Sequence, residues 1–163
     1  MLDGGGPDLA AGTGHDDLPV IDLGPLLDGG PEGTKVAEEI DAACRSHGFF
    51  IVVGHGVDPI SLESLDAAAR EFFALADDVK ARIAMPLGGR AWRGWFPTGG
   101  ELTSGVPDRK EGLYFGTELA ADDPRVRAGR PLHGPNQWPD EPAGLRPAVT
   151  TWMAEMTGLG QTV

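Results

Sequence analysis

The sequence is poor in cysteine, tyrosine, basic residues and long apolar runs. Cys44 is its one cysteine and Tyr114 its one tyrosine, and 13 Lys and Arg stand against 25 Asp and Glu. A lone thiol excludes an internal disulfide and a thiolate metal cluster. On the apolar face of a helix, where the spacing puts it, Cys44 is expected to be a small buried hydrophobe. The net charge of −12 argues against nucleic acid or an anionic membrane surface as partner, since both repel such a protein. No apolar stretch approaches the roughly 18 residues of a membrane helix. The opening residues lack the basic and apolar regions of a secretory signal, so a soluble, cytoplasmic protein is expected. P-loop, dinucleotide-glycine and nucleophile-elbow patterns are also missing.

What is present is organised around residues 36–57. Val36, Ile40, Ala43, Cys44 and His47 share one helical face, with Glu38, Glu39, Asp41 and Arg45 opposite. Gly48 can take the positive φ that ends such a helix, and Phe49 to Val53 follow as an unbroken apolar run. Such a run predicts a strand covered on both faces. At 163 residues the chain is about one domain, for which one core is expected.

Residues 1–17, rich in Gly and Asp, read as a disordered leader. Leu18 to Leu23 predicts an edge strand with Pro19 near its start. Thr34 is the expected N-cap of the first helix and Ser61 that of the second, with Ile60 stapled onto Leu65. Asp77 is placed to cap a further turn before Pro86. Residues 87–115 alternate glycines with aromatics and predict two short strands around a loop. The five prolines between Ala120 and Gly144 predict irregular chain pinned by Leu132 and Trp138. From Leu145 through Val149, Trp152, Met156 and Leu159 to Val163 a helical stripe runs to the last residue without a terminating signal, as in a truncated product or partial gene model.

The four histidines, His15, His47, His55 and His133, bound any metal or acid–base proposal. His15-Asp16-Asp17 has the form of half a facial iron triad, but in a glycine-rich leader it reads as solvated tail. His47, His55 and His133 read as structural or loop histidines. Arg93, among Trp92, Trp95 and Phe96, is either a carboxylate clamp or a guanidinium stacked on a ring. Lys110 and Glu111 read as an exposed strand pair pointing to opposite faces.

Taken in order, Pro19-Val20-Ile21-Asp22-Leu23, Ala43-Cys44 through Gly48-Phe49-Phe50, His55-Gly56-Val57, Arg70-Glu71-Phe72-Phe73, Lys80, Arg93-Gly94-Trp95, Asp108-Arg109-Lys110-Glu111 and His133 to Pro139 resemble the N-terminal region of the isopenicillin N synthase-like iron(II)/2-oxoglutarate-dependent oxygenases. The resemblance covers residues 18–163, with Gly54 standing where relatives commonly carry Asn. It implies an α+β fold: the helices and first strands of a double-stranded β-helix, or jelly roll, truncated before the metal-binding core. Iron(II) and 2-oxoglutarate are implied as cofactors, with the His-x-Asp, distant His and Arg-x-Ser that bind them beyond this chain, so no catalytic or metal residue is assigned here. Arg93, Trp95, Phe96, Lys110 and Tyr114 match segments near the substrate side of the barrel. The complete protein would oxidise a small organic substrate with O₂, and the chain alone would be inactive. A non-catalytic interaction module docking through the Leu145–Val163 face, and an iron oxidase that does not use 2-oxoglutarate, are the alternative readings.

Overall fold

A computed structural model describes residues 18–163; the expected leader and the His15-Asp16-Asp17 motif lie outside the described residues. The order is strand β1 (Val20–Asp22), helix α1 (Gly24–Leu27), α2 (Gly33–Ser46), β2 (Ile51–Val53), α3 (Pro59–Phe73) and α4 (Asp77–Lys80). Two 3₁₀ segments (Ala81–Ile83, Met85–Ala91) lead into β3 (Gly94–Phe96), β4 (Leu102–Thr103), β5 (Val106–Pro107) and β6 (Gly112–Tyr114), and then into α5 (Pro124–Arg127) and α6 (Leu145–Thr162). The mixed helix and strand content agrees with the expected class. One core was expected, but the described residues divide into two units, 18–57 with 155–163 and 58–154, each with its own buried cluster.

In the first unit β1 and β2 pair in parallel, Val20 with Ile51 and Asp22 with Val53, joined through α1 and α2. Ile21, Leu23, Val36 and Ala43 are its buried residues, and Leu159 packs against them. The stripe of α2 is narrower than the sequence predicts: Gly33, Val36 and Ala43 are buried, while Cys44, one residue or about 100° further round, is exposed. Gly48 ends α2 at φ +81°, as its sequence position predicts. The helix starts differently, with Glu32 at the N-cap rather than Thr34 and no side-chain cap bond.

The prediction that β2 is covered on both faces is overturned. Val52 packs inward while Ile51 and Val53 are 39% and 43% exposed, because a two-stranded sheet with alternating side chains has only one face against this core. At Gly54 the φ is +61°, and the Asp22 carboxylate, which accepts from the Gly24 N–H at 2.9 Å, fills the space a Cβ would take.

The second unit begins at Asp58, whose side chain accepts from the Ile60 N–H at 2.9 Å and so replaces Ser61 as N-cap of α3. Ser61 sits in the first turn and donates to the Asp58 carbonyl at 2.7 Å. Ile60 is 65% exposed and staples nothing. Asp77 lies in the first turn of α4 and pairs with Lys80 at 3.1 Å instead of capping; Ala76 is the N-cap. The core of this unit joins Ala68 and Phe72 of α3 to Ile83, Trp95 and the α6 residues Leu145 and Val149.

Phe72 has no exposed surface and meets Phe73 edge-on at 5.3 Å between ring centroids. Replacing Phe72 by Ala is expected to cost about 4 kcal/mol, through lost burial plus the cavity left behind. Urea unfolding would show it as a lower midpoint at constant slope; an unchanged midpoint would place the core of this unit elsewhere.

Candidate functional site

The residues singled out from sequence gather around the β3–β6 ladder. The two strands pair antiparallel, Gly94 with Tyr114, Trp95 with Leu113 and Phe96 with Gly112, as the aromatic clusters predict. The loop between them adds the β4–β5 hairpin, which the sequence reading did not contain. Gly94 has φ +114°, and a Cβ there would strike the Gln137 amide and the Ile83 carbonyl. That approach lets the Gln137 side chain donate to the Ala84 carbonyl at 3.0 Å and the Arg93 carbonyl at 2.7 Å, tying the proline-rich segment to the strand.

Behind the ladder lies a buried charge. Lys80 is 4% exposed, and its ammonium donates to Glu111 at 2.7 Å while lying 5.3 Å from the Trp95 ring centroid. The same Glu111 oxygen accepts the Trp95 indole N–H at 2.8 Å. Burial pushes the Lys80 pKa down, but the hydrogen bonds to Glu111 and Asp77 outweigh it, so the pKa lies above the ordinary lysine value. Glu111 is therefore not the exposed partner its sequence suggests. Its side chain is 27% exposed, while the adjacent Lys110 side chain is 57% exposed and reaches Glu101 at 3.1 Å and Asp108 at 3.3 Å. The expected divergence of the two side chains is present; the burial of one of them is not visible from adjacency alone.

Each candidate has a defined place. Trp95 and Phe96 are 4% and 3% exposed, and the Phe96 ring covers Gly112 across the ladder. Tyr114 is half-buried, tilted against Phe96 with centroids 5.1 Å apart, and donates its hydroxyl to Glu101. Arg93 does not stack on a ring: the cation–ring contacts among the described residues are Lys80 on Trp95 and Arg146 on Trp138. Its guanidinium lies against Gly116, where a Cβ would overlap it, and donates to the Leu132 carbonyl at 3.0 Å, leaving its buried Nε without a partner. Leu132 thus pins the proline-rich segment through its backbone, with its side chain 59% exposed, whereas Trp138 does so as expected by stacking on Phe115 at 4.6 Å.

Sequence reasoning missed the polar knot beside this stack. The buried Asn136 amide accepts from the Gly116 N–H at 2.9 Å and donates to the Gly116 carbonyl at 2.7 Å. Glu118 accepts from the Asn136 N–H and the Trp138 indole N–H, each at 3.0 Å. Only the residue types of His133 to Pro139 hinted at it, because the partners lie about 20 positions away.

Each described histidine has a local partner. His47 follows α2 with Nδ1 2.7 Å from the Ser46 hydroxyl, His55 accepts the Val57 N–H at 3.1 Å, and His133 Nδ1 lies 2.7 Å from the Pro131 carbonyl. Among the described residues no three His, Cys, Asp or Glu side chains converge as metal donors.

The Glu101–Tyr114 contact sets a pH window. The Tyr114 hydroxyl, then Lys110, holds the Glu101 pKa below 4.5, and Glu101 in turn raises that of Tyr114 above 10.0. The carboxylate's contribution is complete above the unfolded value and is lost as pH falls through the lowered one; the phenol's is complete below 10.0 and is lost as pH rises through the raised one. The stability difference between wild type and Tyr114→Phe is expected to be flat between pH 4.5 and 10.0 and to shrink on either side. A difference that varies across the neutral range in urea titrations would refute the contact.

Comparison with known proteins completes the picture. Residues 18–141 match the family described as non-haem dioxygenase in morphine synthesis N-terminal. A probable iron/ascorbate oxidoreductase of Dictyostelium discoideum is 39% identical over 156 residues, covering 90% of this chain and 43% of that protein. A 2-oxoglutarate-dependent dioxygenase of Monascus ruber is 40% identical over 134 residues, covering 80% and 39%. A 2-oxoglutarate–Fe(II) oxygenase family protein of Caulobacter crescentus superimposes with TM-score 0.74 at 23% identity over 90% of this chain and 46% of its own. The chain thus spans less than half the length of the relatives it matches. With the family match extending over most of its residues, the chain belongs to the N-terminal family of the non-haem, 2-oxoglutarate-dependent dioxygenases, for which iron(II) and 2-oxoglutarate are the implied cofactors.

Proposed function

We propose that this chain is the N-terminal, substrate-side part of a dioxygenase that oxidises a small organic molecule with O₂, and that the ligands of iron and 2-oxoglutarate come from sequence outside it. The observation that carries this reading is the family match over residues 18–141, by a chain that spans less than half the length of its dioxygenase relatives. A non-haem iron site needs its histidines and carboxylate on rigid elements facing one point, and among the described residues no three candidate ligands converge. No chemical step is therefore assigned to the residues of this chain.

Their role in this reading is to bind and shape. The β3–β6 ladder contributes to the jelly roll of the complete enzyme. Trp95 and Phe96, both buried, set the spacing of the wall, and Arg93, Lys110 and Tyr114 supply polar groups that reach a substrate. Support for these roles comes from the family match and from the exposure of Lys110.

The 163-residue chain is expected to bind Fe(II) no more tightly than its His15→Ala variant, and to form no succinate from 2-oxoglutarate. Calorimetry with Fe(II) under anaerobic conditions and a succinate assay check this. Stoichiometric iron binding that His15→Ala abolishes, together with turnover, would sink the reading.

A further inference from the structure

The charge of this chain is unevenly distributed. Seven of its 13 basic residues lie in two stretches, 79–100 and 124–139, that contain no Asp or Glu, although the whole chain carries −12. The fold brings these two stretches together. The Leu132 N–H donates to the Arg90 carbonyl at 2.8 Å, Arg90 Nη1 to the Gly129 carbonyl at 2.9 Å, and Arg93 Nη2 to the Leu132 carbonyl at 3.0 Å. Arg130, exposed, lies between Gly129 and Leu132 in this lacing. Each bond to a carbonyl fixes a guanidinium without neutralising it, and none of Arg90, Arg93 and Arg130 joins an ion pair among the described residues.

Between Arg90 and Arg93 in the chain, and at the Leu132 backbone that both of them meet, stand two large apolar side chains turned to solvent. Trp92 and Leu132 are 55% and 59% exposed, and both have left-handed backbone, φ +55° and +62°, which bulky residues rarely adopt. Nothing about burial explains an indole and an isobutyl group at these positions, where glycine would relieve the backbone. Arginine with an adjacent aromatic face is suited to a carboxylate joined to a flat apolar body: the guanidinium forks take the anion and the ring takes the body. The acidity of the remaining surface disfavours an extended polyanion and leaves a small one.

We propose that the surface formed by Arg90, Arg93 and Arg130 around Trp92 and Leu132 is a binding site for a small organic anion with a flat apolar body. The proposal stands on the charge and exposure of this surface; it shares Arg93 with the substrate-side reading above, but its test uses Trp92 and Arg130, so the two can fail separately.

The probe is naphthalene-2-carboxylate, titrated into the full chain by calorimetry, with 2-naphthamide and inorganic phosphate as comparators. The carboxylate is expected to bind at one saturable site, weakening with added salt, and the neutral amide and phosphate each to bind at least about tenfold more weakly. Trp92→Gly, which relieves the left-handed backbone while removing the ring, and Arg130→Gln are each expected to weaken carboxylate binding about tenfold with an unchanged circular dichroism spectrum. Trp92→Asn, also compatible with left-handed backbone, replaces the glycine variant if that one loses its fold. Equal binding of amide and carboxylate, indifference to both substitutions, phosphate binding as tightly as carboxylate, or no saturable binding would each overturn the proposal.

Discussion

The Glu111 carboxylate is the constraint on which the second unit depends. One oxygen takes both the Lys80 ammonium and the Trp95 indole N–H, so this acid group satisfies a buried donor and, together with Asp77, offsets a buried charge. A lysine as buried as Lys80 is expensive unless paired, and its partner stands just ahead of β6. The pairing therefore fixes α4 to the β3–β6 ladder. Trp95 in turn packs with Phe72, Ile83 and Leu145, carrying the constraint into the apolar core. Charge, indole and core are one arrangement, and the polar residues of the ladder hang from it.

Much of this was legible in the chain, and what was not has physical reasons. The order α2, Gly48, β2 and the end of the helix read correctly because helical periodicity and a positive-φ glycine are local signals. Cys44 read wrongly because a periodic stripe predicts a face, while burial depends on how wide a neighbour covers it; here Ala43 is under cover and Cys44 is not. Phe49 to Val53 misled similarly, since an apolar run says nothing of what packs on its second side. The caps at Ser61 and Thr34 failed by a few residues, the usual reach of boundary error: Asp58 takes the role at α3 and Glu32 holds the position at α2. At the ladder, strand positions were readable from aromatics, but Glu111 with Lys80, and Asn136 with Gly116 and Glu118, are pairings across 18 to 31 positions that no local pattern encodes.

Family membership rests on the order of segments. The chain carries the order of segments that marks the N-terminal family of non-haem dioxygenases, and its described residues supply packing, hydrogen bonding and exposed basic and aromatic side chains. The Lys80, Arg93 and Glu111 segments by which the resemblance is recognised prove to be joints. Lys80 and Glu111 meet each other, and Arg93 meets the backbone of Leu132. Motif residues in this region are thus explained first by the pairing of segments, and the functional reading builds on the surface those pairings create.

A double-mutant cycle on Lys80 and Glu111 tests this account most directly. Lys80→Met, Glu111→Leu and the pair together, measured by urea unfolding, should give a coupling energy of about 2 kcal/mol or more, because either single change takes from a shielded group its nearest charged partner, which leaves Asp77 as Lys80's remaining carboxylate, and the double change removes both groups. A coupling below roughly 0.5 kcal/mol, the level of an exposed surface pair, would contradict the claim that this joint organises the unit.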